Sequence, residues 1–189
     1  GIAAYKAASL LRRFTESGHD VTVVPTEAAL RFVGAPTWAA LSGKPVATDV
    51  WTGVDQVPHV RIGQQAQLVV VAPATADLLA KAATGQADDL LTATLLTARC
   101  PVVFAPAMHT EMWLHPATQA NLKTLEARGV RRIGPGQGDL ACGETGPGRM
   151  SEPHEILAAI EAFFTAGPLA GRRALVTSGV AFSLLLGAG

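Results

Sequence analysis

Apolar positions along the chain alternate between two rhythms. From Gly1-Ile2-Ala3-Ala4-Tyr5-Lys6 the sequence runs directly into Ala7, Ala8, Leu10, Leu11 and Phe14. That spacing of three and four predicts a helix with one buried face, ended by Gly18. Residues 21–25 predict a short buried strand, and Thr26 opens a helix-like stretch holding Ala29, Leu30 and Phe32. A looser middle with Trp38, Leu41 and Trp51 follows, and His59-Val60-Arg61-Ile62 predicts a short extended segment. Residues 68–72 and 101–105 are apolar runs without polar alternation, as in strands covered on both faces of a parallel sheet. Helices are predicted over 77–84, 89–98, 116–128 and 153–165, with Pro116 in the first turn of the third, and a short strand over 130–133. The alternation predicts an α/β fold with a doubly wound parallel sheet.

Both ends change the picture of the domain. Gly1 to Ala4 have the form of a strand-to-helix turn, which predicts a preceding strand of about five residues. Residues 171–179 resemble the start of another βα unit, after which 180–189 continue with no evident partner. The predicted organisation is a single domain over 1–166 and a linker with the truncated start of a second over 167–189.

Composition narrows the function classes. Lys and Arg number 15 and Asp and Glu 15, so the chain of 189 residues carries no net charge and has no basic excess for nucleic acid. No apolar run approaches the roughly 18 residues of a membrane span, and no signal peptide is visible. Cys100 and Cys142 make no disulfide framework, and no His/Cys spacing suits a metal. These features predict a cytoplasmic protein. Charged residues are only 16% of the chain, which fits either a sheet buried on both faces or a homo-oligomer.

Ligands of open α/β sheets bind outside the carboxyl ends of the strands, and several such ends carry unusual residues here. Gly1 to Ala4 offer a helix N-terminus, a phosphate seat or merely a close-packed turn; the Gly-x-Gly-x-x-Gly pattern of dinucleotide sites is missing. Two strands end alike, in Pro73-Ala74-Thr75-Ala76-Asp77 and Pro106-Ala107-Met108-His109, which suggests a crevice shared by a flat ligand. Residues 134–150 are glycine-rich and predict a mobile loop carrying Cys142, Glu144 and Arg149. Such a loop is either a lid that delivers a proton or a linker, and a plain linker rarely contains Cys. Among the histidines, His19 and His154 read as solvated surface and His115 as a helix cap; His59 is either a general base or structural. Cys100, at a strand start, reads as buried and inert.

Taken together, Gly1 to Lys6, Pro73 to Asp77, Pro106-Ala107-Met108-His109-Thr110-Glu111-Met112-Trp113 and Ala141 to Met150 resemble the flavin-dependent cysteine decarboxylases, most of all the phosphopantothenoylcysteine decarboxylases. The resemblance covers residues 1 to about 166, and its last two motifs are the specific ones. Residues 171–179 resemble the start of the ligase half to which those enzymes are fused in bacteria.

The resemblance implies a Rossmann-like flavoprotein that uses FMN to decarboxylate 4′-phosphopantothenoylcysteine to 4′-phosphopantetheine in coenzyme A biosynthesis. It implies oxidation of the cysteine moiety to a thioaldehyde, loss of CO₂ to an enethiolate, and reduction with a proton from a loop cysteine. An unactivated carboxylate offers its electrons no sink, so a cofactor must supply one. By the same resemblance His59 and Cys142 are the catalytic residues, and Gly1, Ile2, Ala3, Ala4, Thr26, Thr75, Ala76, Asp77, Leu78, Ala107 and Met108 hold FMN. His109, Met112, Ala141, Gly143, Glu144, Gly148, Arg149 and Met150 bind the substrate. Trimers, or multiples of trimers, with flavin at subunit interfaces are also implied. Two motifs depart from the family pattern: His109 stands where Asn binds the substrate carboxylate, and Thr75 and Asp77 stand where Ser, Asp or Asn are commoner. Alternatives are a peptidyl-cysteine decarboxylase, a flavin prenyltransferase, or an FMN-binding regulatory subunit without catalysis. The Cys142 segment argues against the prenyltransferase, and retention of His59 with Cys142 against the idle subunit.

Overall fold

The apolar runs become the middle of one sheet in the computed structural model, which describes residues 3–46, 58–139, 145–165 and 180–186. Its strands are β1 (His19–Pro25), β2 (Val69–Ala74), β3 (Val102–Pro106), β4 (Arg131–Arg132) and, from the far end of the chain, β7 (Val180–Leu186). Their order is β1-β7-β2-β3-β4. Strands β2, β3 and β4 pair in parallel, while β7 runs antiparallel to both β1 and β2. Every residue of β2 is buried, as a strand without polar alternation requires.

Helices cover the sheet: α1 (Ala4–Glu16), α2 (Glu27–Leu30), α3 (Ala35–Ser42), α4 (Pro58–Gln65), α5 (Ala76–Thr84), α6 (Leu90–Thr97), α7 (Thr110–Leu114), α8 (Pro116–Ala127) and α9 (Pro153–Thr165). Helix α1 buries Leu10, Leu11 and Phe14 and packs on α3 and α9, whose Trp38, Ile156 and Ile160 are fully enclosed. Helix α5 packs on α8, and α4 on α6. Local chemistry sets the starts. Asp89 and Thr92 form a reciprocal capping box on α6, and the His115 ring accepts from the Ala117 N–H at 3.2 Å ahead of Pro116.

The structure departs from the sequence reading in five places. Residues 59–62 are not extended; they lie in α4. Residues 134–150 are not wholly loop, because β5 (Gly136–Asp139) pairs antiparallel with β6 (Thr145–Arg149) as a separate two-stranded sheet. Residues 180–186, left without a partner by sequence, are paired on both edges, their backbone groups bonded to β1 and β2. The looser middle holds a helix, α3, with Trp38 in the core and its indole N–H on the Val33 carbonyl at 2.9 Å. His19 is half-buried against Phe14, ring centroids 5.6 Å apart. Neither of its ring nitrogens has a partner among the described residues, and burial lowers its pKa.

Candidate functional site

Two turns, at the ends of the strands on either side of β7, line a crevice. The chain leaves β1 at Thr26, whose Oγ1 accepts from the Ala29 N–H at 3.1 Å and so caps α2. It leaves β2 at Thr75, whose Oγ1 accepts from the Leu78 N–H at 3.3 Å and caps α5. A Thr hydroxyl that accepts in this way keeps a hydrogen to donate, so Thr75 offers an O–H beside the first turn of α5. Between these turns lies a cavity of about 480 Å³ lined by Thr26, Glu27, Ala28, Arg31, Thr75, Asp77, Leu78, Lys81, Asp88 and Asp89. Its size falls within the range of cofactor sites, and it opens where doubly wound sheets bind ligands.

Charge around the cavity is paired. Lys81 bridges Asp88 at 2.8 Å and Asp77 at 3.5 Å, and Arg31 meets Glu27 at 3.1 Å. The hydrogen bond from Lys81 holds the Asp88 carboxyl below its ordinary value. The sequence reading found Thr26, Thr75, Asp77 and Leu78 but missed Glu27, Arg31, Lys81, Asp88 and Asp89. Asp88-Asp89 ahead of an apolar run was the available signal, since it marks the start of a helix, α6, directly after α5.

Strand β3 ends beside β2, where the Ala107 N–H donates to the Ala74 carbonyl at 3.1 Å. The twin strand ends thus meet as expected, although Ala107, Met108 and His59 do not line the cavity itself. Beyond Ala107 the chain receives the β5–β6 hairpin. The ladder between β5 and β6 shifts register between Gly136 and Gln137. The shift turns Gly148 away from β5, and its carbonyl accepts the Met108 N–H at 2.9 Å. Gly148 has φ of +139°, and a Cβ there would collide with the Met108 carbonyl, so only glycine allows this approach. Two motifs far apart in the sequence are one unit in the fold.

The root of the hairpin is tied to the first helix. Lys6, 6% exposed, sends Nζ to the Met150 carbonyl at 3.1 Å and to Glu152 at 2.8 Å. Arg149 also reaches Glu152, at 2.9 Å. The Lys6 hydrogen bond lowers the Glu152 pKa, with its charge and that of Arg149 adding to the effect. A lowered carboxyl stabilises the fold above its unfolded value, and that contribution disappears as pH falls through the folded one. Glu152→Gln is therefore expected to cost about 1–2 kcal/mol at pH 7, leaving a buried ammonium short of its counter-charge. Thermal melts from pH 7 to pH 3 should show the gap to the parent protein closing; a gap unchanged with pH would remove the bridge from the account.

His59 lies in the first turn of α4, with its Nδ1 buried and without a partner among the described residues. Its backbone is fixed from α6, where Thr97 Oγ1 donates to the His59 carbonyl at 2.8 Å. Gly63 makes that contact feasible: a Cβ there would strike Thr97 Oγ1 and lie 2.9 Å from the Thr94 carbonyl. Gly63→Ala should push α4 off α6 and lower stability by about 1–3 kcal/mol, measurable by urea unfolding. A variant as stable as the parent would mean that the two helices separate freely.

The remaining sequence-derived residues are placed as follows. Ala3 caps α1 and Ala4 is its first, buried residue. Ala76 opens α5, and His109 caps α7, its Nδ1 accepting from the Glu111 N–H at 3.3 Å. Met112 is half exposed, whereas Met150 is enclosed in the core. His154 is exposed, and burial pushes the half-buried Cys100 thiol up to about 11, so it is neutral at pH 7. Gly1, Ile2, Ala141, Cys142, Gly143 and Glu144 lie outside the described residues. Among the described residues no group of His, Cys, Asp and Glu could hold a metal ion.

Comparison with known proteins gives consistent results. Residues 1–165 match the family model described as Flavoprotein. The chain is 61% identical over 184 residues to the coenzyme A biosynthesis bifunctional protein CoaBC of Mycolicibacterium smegmatis, covering 95% of this chain and 44% of that protein. Identity to the CoaBC of Vibrio cholerae is 46%, over 95% of this chain and 45% of the relative. The chain thus spans less than half the length of these curated relatives. Among solved structures, a phosphopantothenoylcysteine (PPC) decarboxylase in a Cys→Ser variant, complexed with pantothenoylaminoethenethiol, superposes with TM-score 0.80 at 32% identity, covering 88% of this chain and 94% of that one. The FMN-dependent cysteine decarboxylase SpaF superposes with TM-score 0.70 at 31% identity, over 86% and 91% of the two chains.

Proposed function

The chain belongs to the Flavoprotein family, and on that premise we propose that it is the FMN-dependent decarboxylase that converts 4′-phosphopantothenoylcysteine to 4′-phosphopantetheine. The observation that carries the reading is the union of the third motif with the glycine hairpin through Met108 and Gly148, beside the strand ends that form the crevice. Identity of 61% to a coenzyme A biosynthesis protein favours this substrate over a peptide, since the likeness to SpaF is only 31% identical.

The residues at the crevice fit FMN. The N-terminus of α1 at Ala3 and Ala4, the Thr26 turn, and Thr75 to Leu78 would hold its phosphate and ribityl chain, and Ala107 and Met108 its ring. When bound, FMN would supply a reversible hydride acceptor for the thiol-bearing carbon, so no external oxidant would be needed. His59 stands at the departing carboxylate. His109 accepts at Nδ1 from the backbone, which puts its hydrogen on Nε2 as the donor to that carboxylate. A thiol is a usable proton donor near neutral pH, and Cys142 gives its proton to the carbon that CO₂ left. Arg149 and the neighbouring glycines of β6 close over the substrate.

The shortfall in length against the relatives supports a ligase domain joined to this one in a longer protein. A homotrimer, or a multiple of it, fits the low charge, as a sheet buried on both faces also does. No helix among the described residues is long and apolar enough to cross a membrane, and the cytoplasm is the compartment that suits this pathway. The full chain, incubated with FMN and phosphopantothenoylcysteine, should turn yellow and release one CO₂ per phosphopantetheine formed. A peptide ending in cysteine should release far less. A folded protein that stays colourless with added FMN would defeat the cofactor, and equal turnover of the peptide would defeat the substrate.

A further inference from the structure

Thr110 opens α7, one residue past His109 and two past Met108. Its Oγ1 donates to the Pro147 carbonyl at 2.8 Å, across 37 residues of sequence. The residues on either side of Pro147 are glycines, and both admit this approach only because they lack a side chain. A Cβ on Gly146 would strike Thr110 Oγ1 and lie 3.1 Å from its Cγ2; one on Gly148 would strike the Met108 carbonyl. With the Met108 N–H on the Gly148 carbonyl at 2.9 Å, the hairpin is held to residues 108–110 by two hydrogen bonds on neighbouring carbonyls. Proline has no N–H to anchor the hairpin here, so its carbonyl is the group available, and Thr110 supplies the donor.

We propose that Thr110 is a positioning residue: its hydroxyl fixes the β5–β6 hairpin against the Met108–His109 segment and thereby sets affinity for the substrate. It acts through the hairpin and touches neither the flavin nor the reacting atoms. The inference rests on the decarboxylase reading for its consequence in substrate binding, and on the hydrogen bond alone for its consequence in the hairpin.

Thr110→Val keeps the shape and removes the donor, while Thr110→Ser keeps the donor. In the FMN-loaded full chain, Thr110→Val should raise KM for phosphopantothenoylcysteine about tenfold, with kcat within about twofold and flavin content unchanged. Thr110→Ser should recover most of that loss. Amide hydrogen exchange, without substrate, should quicken about tenfold at Met108 and over residues 145–149 in Thr110→Val and stay near the parent rate in Thr110→Ser. Unchanged exchange and unchanged KM in Thr110→Val would overturn the proposal. So would equal losses of kcat, flavin and melting temperature in both variants, which would make Thr110 a packing residue. If the parent protein itself released no CO₂, the decarboxylase reading would fall, and the exchange comparison would still decide whether Thr110 holds the hairpin.

Discussion

Cys142→Ser is expected to release CO₂ from phosphopantothenoylcysteine and yet make almost no phosphopantetheine. In the proposed reaction the carboxylate leaves once the thiol-bearing carbon has been oxidised, and nothing in that half needs a proton from Cys142. The second half does, because the carbon left behind must gain a hydrogen. An alkyl hydroxyl is a far weaker acid than a thiol, so the serine variant loses the donor while nearly keeping the volume. Loss of a general acid of this kind typically costs 10²–10⁴-fold, about 3–5 kcal/mol of barrier. Under anaerobic conditions about one CO₂ per flavin should appear, the flavin absorbance should bleach, and the enethiol should be recovered by mass spectrometry. Full phosphopantetheine yield from Cys142→Ser would take the thiol out of the mechanism.

His59→Asn should instead stop the reaction before CO₂ leaves, lowering the rate of its release by about 10²–10⁴-fold while flavin stays bound. The structure makes this a clean substitution. The grip on α4 passes through the His59 main-chain carbonyl and Thr97, and Asn leaves that carbonyl in place. The imidazole Nδ1 has no partner among the described residues, so removing the ring breaks no bond seen there. Flavin content and melting temperature should therefore match the parent protein, and only turnover should fall. CO₂ release at the parent rate would make His59 structural.

Much of the sheet was legible because its strands are short apolar runs. Residues 68–72 and 101–105 could hardly be anything else between helical patterns, and Pro116 marked the start of α8 correctly. The misreadings at 59–62 and 134–150 share one cause, a contact with something distant in sequence. Val60, Arg61 and Ile62 suit a strand as well as a helix by pattern; packing of Gly63 against Thr97 on α6 decides for the helix. Glycines at 134–150 suggested a loop, yet Gly146 and Gly148 are small so that a hairpin can lie against residues 108–110. His19 read as surface, and only the turn from α1 into β1 brings Phe14 against its ring. The turns at Thr26 and Thr75, proposed to hold the cofactor, were readable for the opposite reason. A strand end followed by a capping Thr is a local signal, and both gave the expected turns.

The bond from Lys6 to the root of the hairpin restricts how this scaffold can be rebuilt. Residues 136–139 and 145–149 look like a self-contained cassette, but their seat is made by Lys6 on the first helix, Met108 to Thr110 after β3, and Glu152 beyond. An engineer wishing to transplant a relative's hairpin for a new specificity must carry those distant partners along with it. Swapped alone, the cassette would arrive with its glycines and no matching socket.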